Sequence, residues 1–313
     1  MNIKIKQFFN QFHWYKLIAY KFQKISVLKN PKAEANRAYY TVFKKNIDWD
    51  NPRDLVEKIN WLQLHTDTSL WTKYADKYLV RDYVKECGYE DNLPDLYGKW
   101  ENVDNIDFSV LPDEFVLKSN NGCGTVLIVK DKKNIKLNNV KKKLKRWLNL
   151  PYGYRAAQLH YLKIEPCIIA EELLVNNEED ILISSNSIID YKIYCINGEP
   201  EAIWVAYDRT HDGVYHTMYD INWIKHPELL VSTNYYSYHE REIPKPKCLD
   251  DMLEMCRKLS RPFKQVRVDL YVIKNKPIFG EMTFATGIGF FTEEFYNYLG
   301  SKIDLSEFYN QRS

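Results

Sequence analysis

The spacing of apolar and polar positions changes period once along the chain, near residue 95. Before that point it is helical. In NPRDLVEKINWLQLHTD, Leu55, Ile59 and Leu62 recur at helical intervals behind an Asn-Pro start with acidic residues in the first turn. SLWTKYADKYLVRDYVKECG repeats the habit through Leu70, Tyr74, Tyr78, Leu79, Tyr83 and Val84, and Gly88 marks a stop. Past residue 95 the runs become short and β-like. LYGKW is one, and FVLKSNNGCGTVLIVKDK reads as two strands around a glycine-bearing turn. A lysine-rich helix is predicted over 136–149, its basic face most simply solvated and, as a second reading, turned to a ligand. IEPCIIAEELLV is an apolar strand closed by the acidic turn NNEED. IIDYKIYCINGEPEAIWVAYDRT predicts a hairpin at Asn197-Gly198, CLDDMLEMCRKLSRPF an amphipathic helix, and QVRVDLYVIKNKPIFGEMTF a second long hairpin turning at Lys274-Asn275-Lys276. Helices first, then a hairpin lobe, then a second antiparallel sheet with a crossing helix give an α+β class.

Composition narrows the picture without deciding it. At 313 residues the chain suits two or three lobes, and 45% apolar with 15% aromatic residues can fill a large core. A net charge of +2 offers no global attraction for nucleic acid, so an anionic ligand must be met by a local cluster. The six cysteines lack zinc-type spacing and read as reduced thiols, which with no visible secretory signal leads us to expect a cytoplasmic protein. Residues 1–30 mix aromatics with lysines. One reading is a helix lying on anionic lipid at the inner face of the cell membrane; the other, which we favour, is a helix packing its aromatic face on the protein body.

Four blocks could carry chemistry. Lys118 ends a strand and precedes the small-residue loop Ser119-Asn120-Asn121-Gly122-Cys123-Gly124-Thr125, whose amides could approach phosphate oxygens; the loop is not a Walker A motif, and a plain hairpin turn is the simpler reading of it alone. Glu171 and Glu172 close an apolar strand, where backbone groups through Leu174 could frame a base and a carboxylate could meet ribose, or simply enter a solvated turn. Asp190 and Lys192 share a strand face, with Arg209 across the hairpin, as a ligand site or an ordinary ion pair. Asp269 in RVDLYV and Glu281 in FGEMTF form the strongest block. Arg267, Asp269 and Tyr271 share a face, the return strand is expected to bring Glu281 opposite Asp269, and two carboxylates in an apolar hairpin are best explained by a divalent cation.

Taken in this order, the blocks resemble the ATP-grasp superfamily and, more narrowly, the TupA-like ATP-grasp family of bacterial surface-polysaccharide loci, whose members are also labelled glycosyltransferases. NPRDLVEKINWLQLHTD, YADKYLVRDYV, LPDEFVLKSNNGCG, IIAEELL, DYKIYCINGEP and RVDLYVIKNKPIFGEMTF carry the resemblance from about residue 51 to 300. It implies two α+β lobes gripping ATP behind a helical N-terminal extension: 1–90 helical, 91–165 a small lobe with the phosphate loop, 166–313 a large lobe with the metal site. It implies ATP and Mg²⁺ as cofactors. Lys118 with Asn120, Gly122 and Gly124 would hold phosphates. Glu171, Glu172 and Leu174 would frame adenine. Asp190, Lys192 and Arg209 would line the space between γ-phosphate and acceptor, and Asp269 and Glu281 would bind magnesium. Lys77 is a weaker phosphate candidate. Thr283 stands where the wider superfamily has asparagine, so one magnesium is expected there, and Asn121 and Cys123 replace a usual His and Ser, leaving the loop its backbone.

The implied activity is a carboxylate–amine ligase acting through an acyl phosphate. The implied acceptor is a sugar acid or polysaccharide and the donor an amino acid or other amine, with no nucleic acid partner. The rivals are a glycosyltransferase, a kinase-like enzyme that stops at phosphorylation, and a non-catalytic ATP-binding scaffold. The one D-x-D sequence, Asp48-Trp49-Asp50, lies at a helix start, where capping is its plainer role.

Overall fold

A computed structural model describes residues 24–150 and 152–309. The aromatic stretch most relevant to membrane contact, residues 1–23, lies outside them. A helical run over residues 24–29 is followed by four helices: α1 (Pro31–Phe43), α2 (Leu55–His65), α3 (Ser69–Ala75) and α4 (Val80–Glu86). The start of α2 is set by Asp54, whose carboxylate accepts from the Val56 and Glu57 amides. The next stretch, predicted as one helix, is two. Asp76 accepts from the Tyr78 and Leu79 amides, so the chain restarts there and Lys77 is left in the break. Asp48 likewise caps a turn, accepting from the Asp50 and Asn51 amides.

Two sheets follow. The smaller has the order β1-β4-β2-β3, all antiparallel, from Leu96–Trp100, Phe115–Ser119, Val126–Val129 and Ile168–Glu171 in chain order. Because β4 pairs with both β1 and β2, the small sheet runs past the boundary at 165 drawn from the sequence. On one face Phe115, Leu117, Ile168 and Ala170 pack against Val140, Leu144 and Trp147 of α5 (Leu137–Leu148). The other face carries Val116, Lys118, Val126, Ile128, Ile169 and Glu171, as their pairing requires.

The larger sheet has the order β10-β9-β5-β6-β7-β8: β5 (Asp190–Ile196), β6 (Glu199–Tyr207), β7 (Val214–Tyr219), β8 (Tyr236–Tyr238), β9 (Gln265–Ile273) and β10 (Lys276–Thr283). All neighbours are antiparallel except β7 and β8. Both predicted hairpins form, with Asn197-Gly198 and Lys274-Asn275 at positive φ. One face, with Ile193, Val266, Val268 and Leu270, packs on α6 (Leu249–Ser260). After α7 (Glu293–Ser301) the chain returns to its beginning: Lys58 Nζ donates to the Gly300 and Ile303 carbonyls at 2.8 and 2.6 Å. Gly300 meets the start of α2 so closely that a Cβ there would lie 2.3 Å from the Arg53 carbonyl oxygen. One core joins the opening helices to the large sheet and a second lies beneath the small one. No described helix is long and apolar enough to cross a membrane.

Candidate active site

The polar face of β9 and β10 is built by a bulge. The tight turn pairs Ile278 with Tyr271 and Phe279 with Leu270, so the next step would set Gly280 against Asp269 and turn Glu281 toward α6. The register shifts there instead, and Glu281 pairs with Asp269 and Thr283 with Arg267. Gly280 fits the bulge because a Cβ would come within 2.9 Å of the Asp269 carbonyl oxygen and 3.1 Å of the Tyr271 ring. Both carboxylates thus face one side, as the sequence led us to expect.

Around them lies a continuous charge network. Arg267 grips both Asp269 oxygens, Nε at 2.6 Å and Nη2 at 2.7 Å, and Nη2 also reaches Thr283 Oγ1 at 3.1 Å and Glu281 at 3.4 Å. Lys192, opposite Asp269 on β5, bonds Asp190 at 2.5 Å and Asp269 at 2.6 Å. Lys77, in the break between α3 and α4, bonds Glu281 at 3.1 Å and the Gly122 carbonyl at 2.9 Å, so the glycine loop sits over the carboxylate pair. Burial alone would raise the Glu281 carboxyl, but Lys77, Lys192 and Arg267 outweigh it and hold the group well below the usual carboxylate range. At Asp269, 1% exposed, burial pushes the carboxyl up against the pull of Arg267 and Lys192, with Asp190 and Glu281 adding to the push. Glu281 keeps about a third of its side chain exposed at 33% and is the carboxylate that meets solvent.

The small lobe presents Lys118 on the sheet face away from α5. Its Nζ lies 2.7 Å from Glu171, whose other oxygen is held at 2.9 Å by Arg81 of α4. This alters the expected role of Glu171: with both oxygens engaged and 5% exposure, its carboxylate anchors Lys118 rather than facing a ribose. The Asn120 side chain is likewise engaged. Its amide donates to Asp76 and to the Glu165 carbonyl and accepts from the Cys167 amide, so it fixes the loop and offers no side chain to phosphate. Gly122 and Gly124 remain at the loop tip, Gly124 at φ +73°. Beyond Glu171 the chain leaves the sheet; Glu172 is exposed, its amide bonded to Asp95, and Leu174 is half-buried. Val126 and Ile128, 43% and 53% exposed, make an apolar floor beside Lys118 that the sequence reading did not single out. Its signal was the run TVLIV, apolar on both faces although β3 is an edge strand.

On the far side, Arg209 follows β6. Its amide is held by Ser187 and its guanidinium lies 5.9 Å from the Tyr236 ring centre. Burial disfavours its charge, yet Tyr236 and Asp190 more than offset this. Asp190 Oδ1 is buried with no hydrogen-bond partner. The structure therefore gathers Lys77, Lys192, Arg267, Asp190, Asp269 and Glu281 into one network, sets Arg209 at its edge, and places Lys118 on the small lobe. Arg81 and Arg267 were not assigned roles from sequence, although Arg267 was visible on the Asp269 face.

The donors suit a hard cation held jointly with phosphate: two adjacent carboxylates and a threonine hydroxyl, all oxygen. Among the described residues no cluster of three or more His, Cys, Asp or Glu forms a protein-only metal cage.

No curated protein matches the sequence. Structural neighbours include the D-alanine–D-alanine ligase of Bacillus anthracis complexed with ATP (14% identity, 69% of this chain and 55% of that one, TM-score 0.38). The Helicobacter pylori D-alanine–D-alanine ligase is another (14%, 79% and 68%, 0.40), as is an L-amino acid ligase from Bacillus licheniformis (15%, 74% and 48%, 0.41). The chain thus spans about half to two thirds of these proteins' lengths. The TupA-like ATP-grasp family model matches residues 57–304, from α2 to the end of the large lobe, and the chain belongs to that family.

Proposed function

We propose that the protein is an ATP- and magnesium-dependent ligase that activates a carboxylate as an acyl phosphate and passes it to an amine. The carrying observation is the bulged Asp269–Glu281 pair, ringed by Lys77, Lys192 and Arg267 beneath the glycine loop. Magnesium, held by Glu281 and Asp269 together with ATP oxygens, would neutralise phosphate charge. Lys118 and Lys77 would hold phosphates as point charges, and Val126 and Ile128 would bear the base. No protein nucleophile is needed, because aligning acceptor and phosphate and stabilising spread negative charge can supply the rate. The loop capped by Gly122 and Gly124 would exclude the water that destroys acyl phosphates.

Arg209 would receive the acceptor carboxylate, beside the unpartnered Asp190 oxygen and the rings of Tyr235 and Tyr236, since a guanidinium pairs bidentately with a carboxylate. A uronic acid of a surface polysaccharide is the acceptor we infer, with an amino acid as the amine.

The test incubates the protein with ATP, Mg²⁺, uronic-acid glycans and pooled amino acids and follows ADP release and product mass. Amine-dependent ADP release with a mass gain of amino acid minus water supports ligation. Sugar transfer from a nucleotide sugar without ATP overturns it.

A further inference from the structure

Charge is distributed very unevenly. Nine of the seventeen residues 130–146 are Lys or Arg against the single acid Asp131, so this segment carries +8 while the rest of the chain nets −6. It comprises the end of the β3 loop and most of α5, which buries Val140, Leu144 and Trp147 against the small sheet and turns its basic face outward. Within the segment, Lys145 alone has a carboxylate within ion-pairing distance among the described residues, Asp104 at 2.7 Å. Lys136, Lys142, Lys143 and Arg146 stand exposed without one. Asn138, Lys141, Lys142, Lys145 and Arg146 line an open groove of about 510 Å³. Two exposed apolar side chains lie in or near the segment. Leu137 at the start of α5 is 44% exposed, and Val110, 73% exposed, sits in a loop that Lys132 ties down through the Ser109 and Leu111 carbonyls.

We propose that this face docks on a membrane surface rich in anionic lipid headgroups. The unneutralised cations match a sheet of phosphates, and Val110 and Leu137 match the apolar boundary just beneath it. A nucleic acid or an acidic polysaccharide supplies the charge but no apolar layer for those two side chains. The face lies opposite Lys118 across the small sheet, so docking leaves the nucleotide side open.

The experiment is co-sedimentation of the full chain with phosphatidylcholine vesicles with and without phosphatidylglycerol, across a salt series. Binding should require phosphatidylglycerol and fall with salt. Each basic residue at an anionic surface strengthens partitioning about fivefold, so replacing Lys141, Lys142, Lys143 and Arg146 together by Gln should weaken it more than about 100-fold. Val110→Asp should weaken it further at unchanged melting temperature. Two results overturn the proposal: equal binding by the quadruple variant, which would move any lipid contact elsewhere on the chain, or tighter binding to duplex DNA or a polyuronate than to the anionic vesicles.

Discussion

At 1% exposure Asp269 is met directly by two cations, Arg267 through Nε and Nη2 and Lys192 at 2.6 Å. Removing one member of such a buried set strands the others, at a cost of about 3–5 kcal/mol. Asp269→Asn is therefore expected both to abolish ATP turnover and to lower the melting temperature sharply. Glu281 differs. It is the partly exposed member, so Glu281→Gln should cut ATP turnover about 100-fold or more while lowering the melting temperature less than Asp269→Asn does. Parallel turnover and thermal-melt measurements separate the two, and equal destabilisation by both variants would contradict the division of roles. The two carboxylates were legible in the sequence as charges in an apolar hairpin, but strict alternation from the turn would put Glu281 on the other face; the bulge at Gly280 that sets it opposite Asp269 was not read. Lys77 was only half legible: its importance comes from Asp76 breaking a helix that periodicity alone predicts as continuous.

Among elements, the β9–β10 hairpin and the glycine loop carry the site, and each hangs on one small residue. Gly280→Ala places a methyl 2.9 Å from a backbone oxygen, which should cost about 1–3 kcal/mol. Because the strain falls on the bulge, affinity for magnesium-ATP should fall too, as calorimetry would show. Deleting Gly280 should be better tolerated than deleting Phe279: either deletion leaves Glu281 opposite Asp269, but only the second removes a buried core side chain. For the loop, Asn120→Ala removes three hydrogen bonds that tie it to Asp76 and to Glu165 and Cys167 just before β4. At about 1–3 kcal/mol for each buried group left unpaired, a several-degree drop in melting temperature is expected, with a raised KM for ATP. The hairpins were readable because Asn-Gly and Lys-Asn-Lys turns advertise themselves. Neither β7 nor β8 was read: β8 is three residues long and joins the edge in parallel, after a long irregular connection.

At the scale of the whole molecule, two buried histidines set the response to acid. His160 Nδ1 lies 3.2 Å from Gln63 Oε1, so the neutral ring donates there and its Nε2 has no partner. His216 Nδ1 accepts from Trp204 Nε1, leaving Nε2 likewise unpartnered. Burial lowers the first to about 3, with Lys163 adding to the effect, and the second to about 4. The unfolded chain binds a proton on each near pH 6.5 and the folded chain does not, so stability falls as pH drops from 6.5 toward 4, by up to about 1.4 kcal/mol per pH unit for each histidine. Urea titrations at stepped pH would show this, and His216→Gln should flatten the slope; an unchanged slope would refute the assignment. The α+β class and both lobes were legible in the change of period at residue 95. The reach of the small sheet to residue 171 was not, because pairing partners far apart in sequence leave no local trace. The tie between Lys58 and the carbonyls of residues 300 and 303 spans 242 and 245 positions. During synthesis α2 therefore waits on the order of ten to fifty seconds for its last partners, given roughly 5–20 residues added per second. The helices around α2 thus gain their last contacts only once residues 300–303 have been made, and until then part of their apolar surface has no partner.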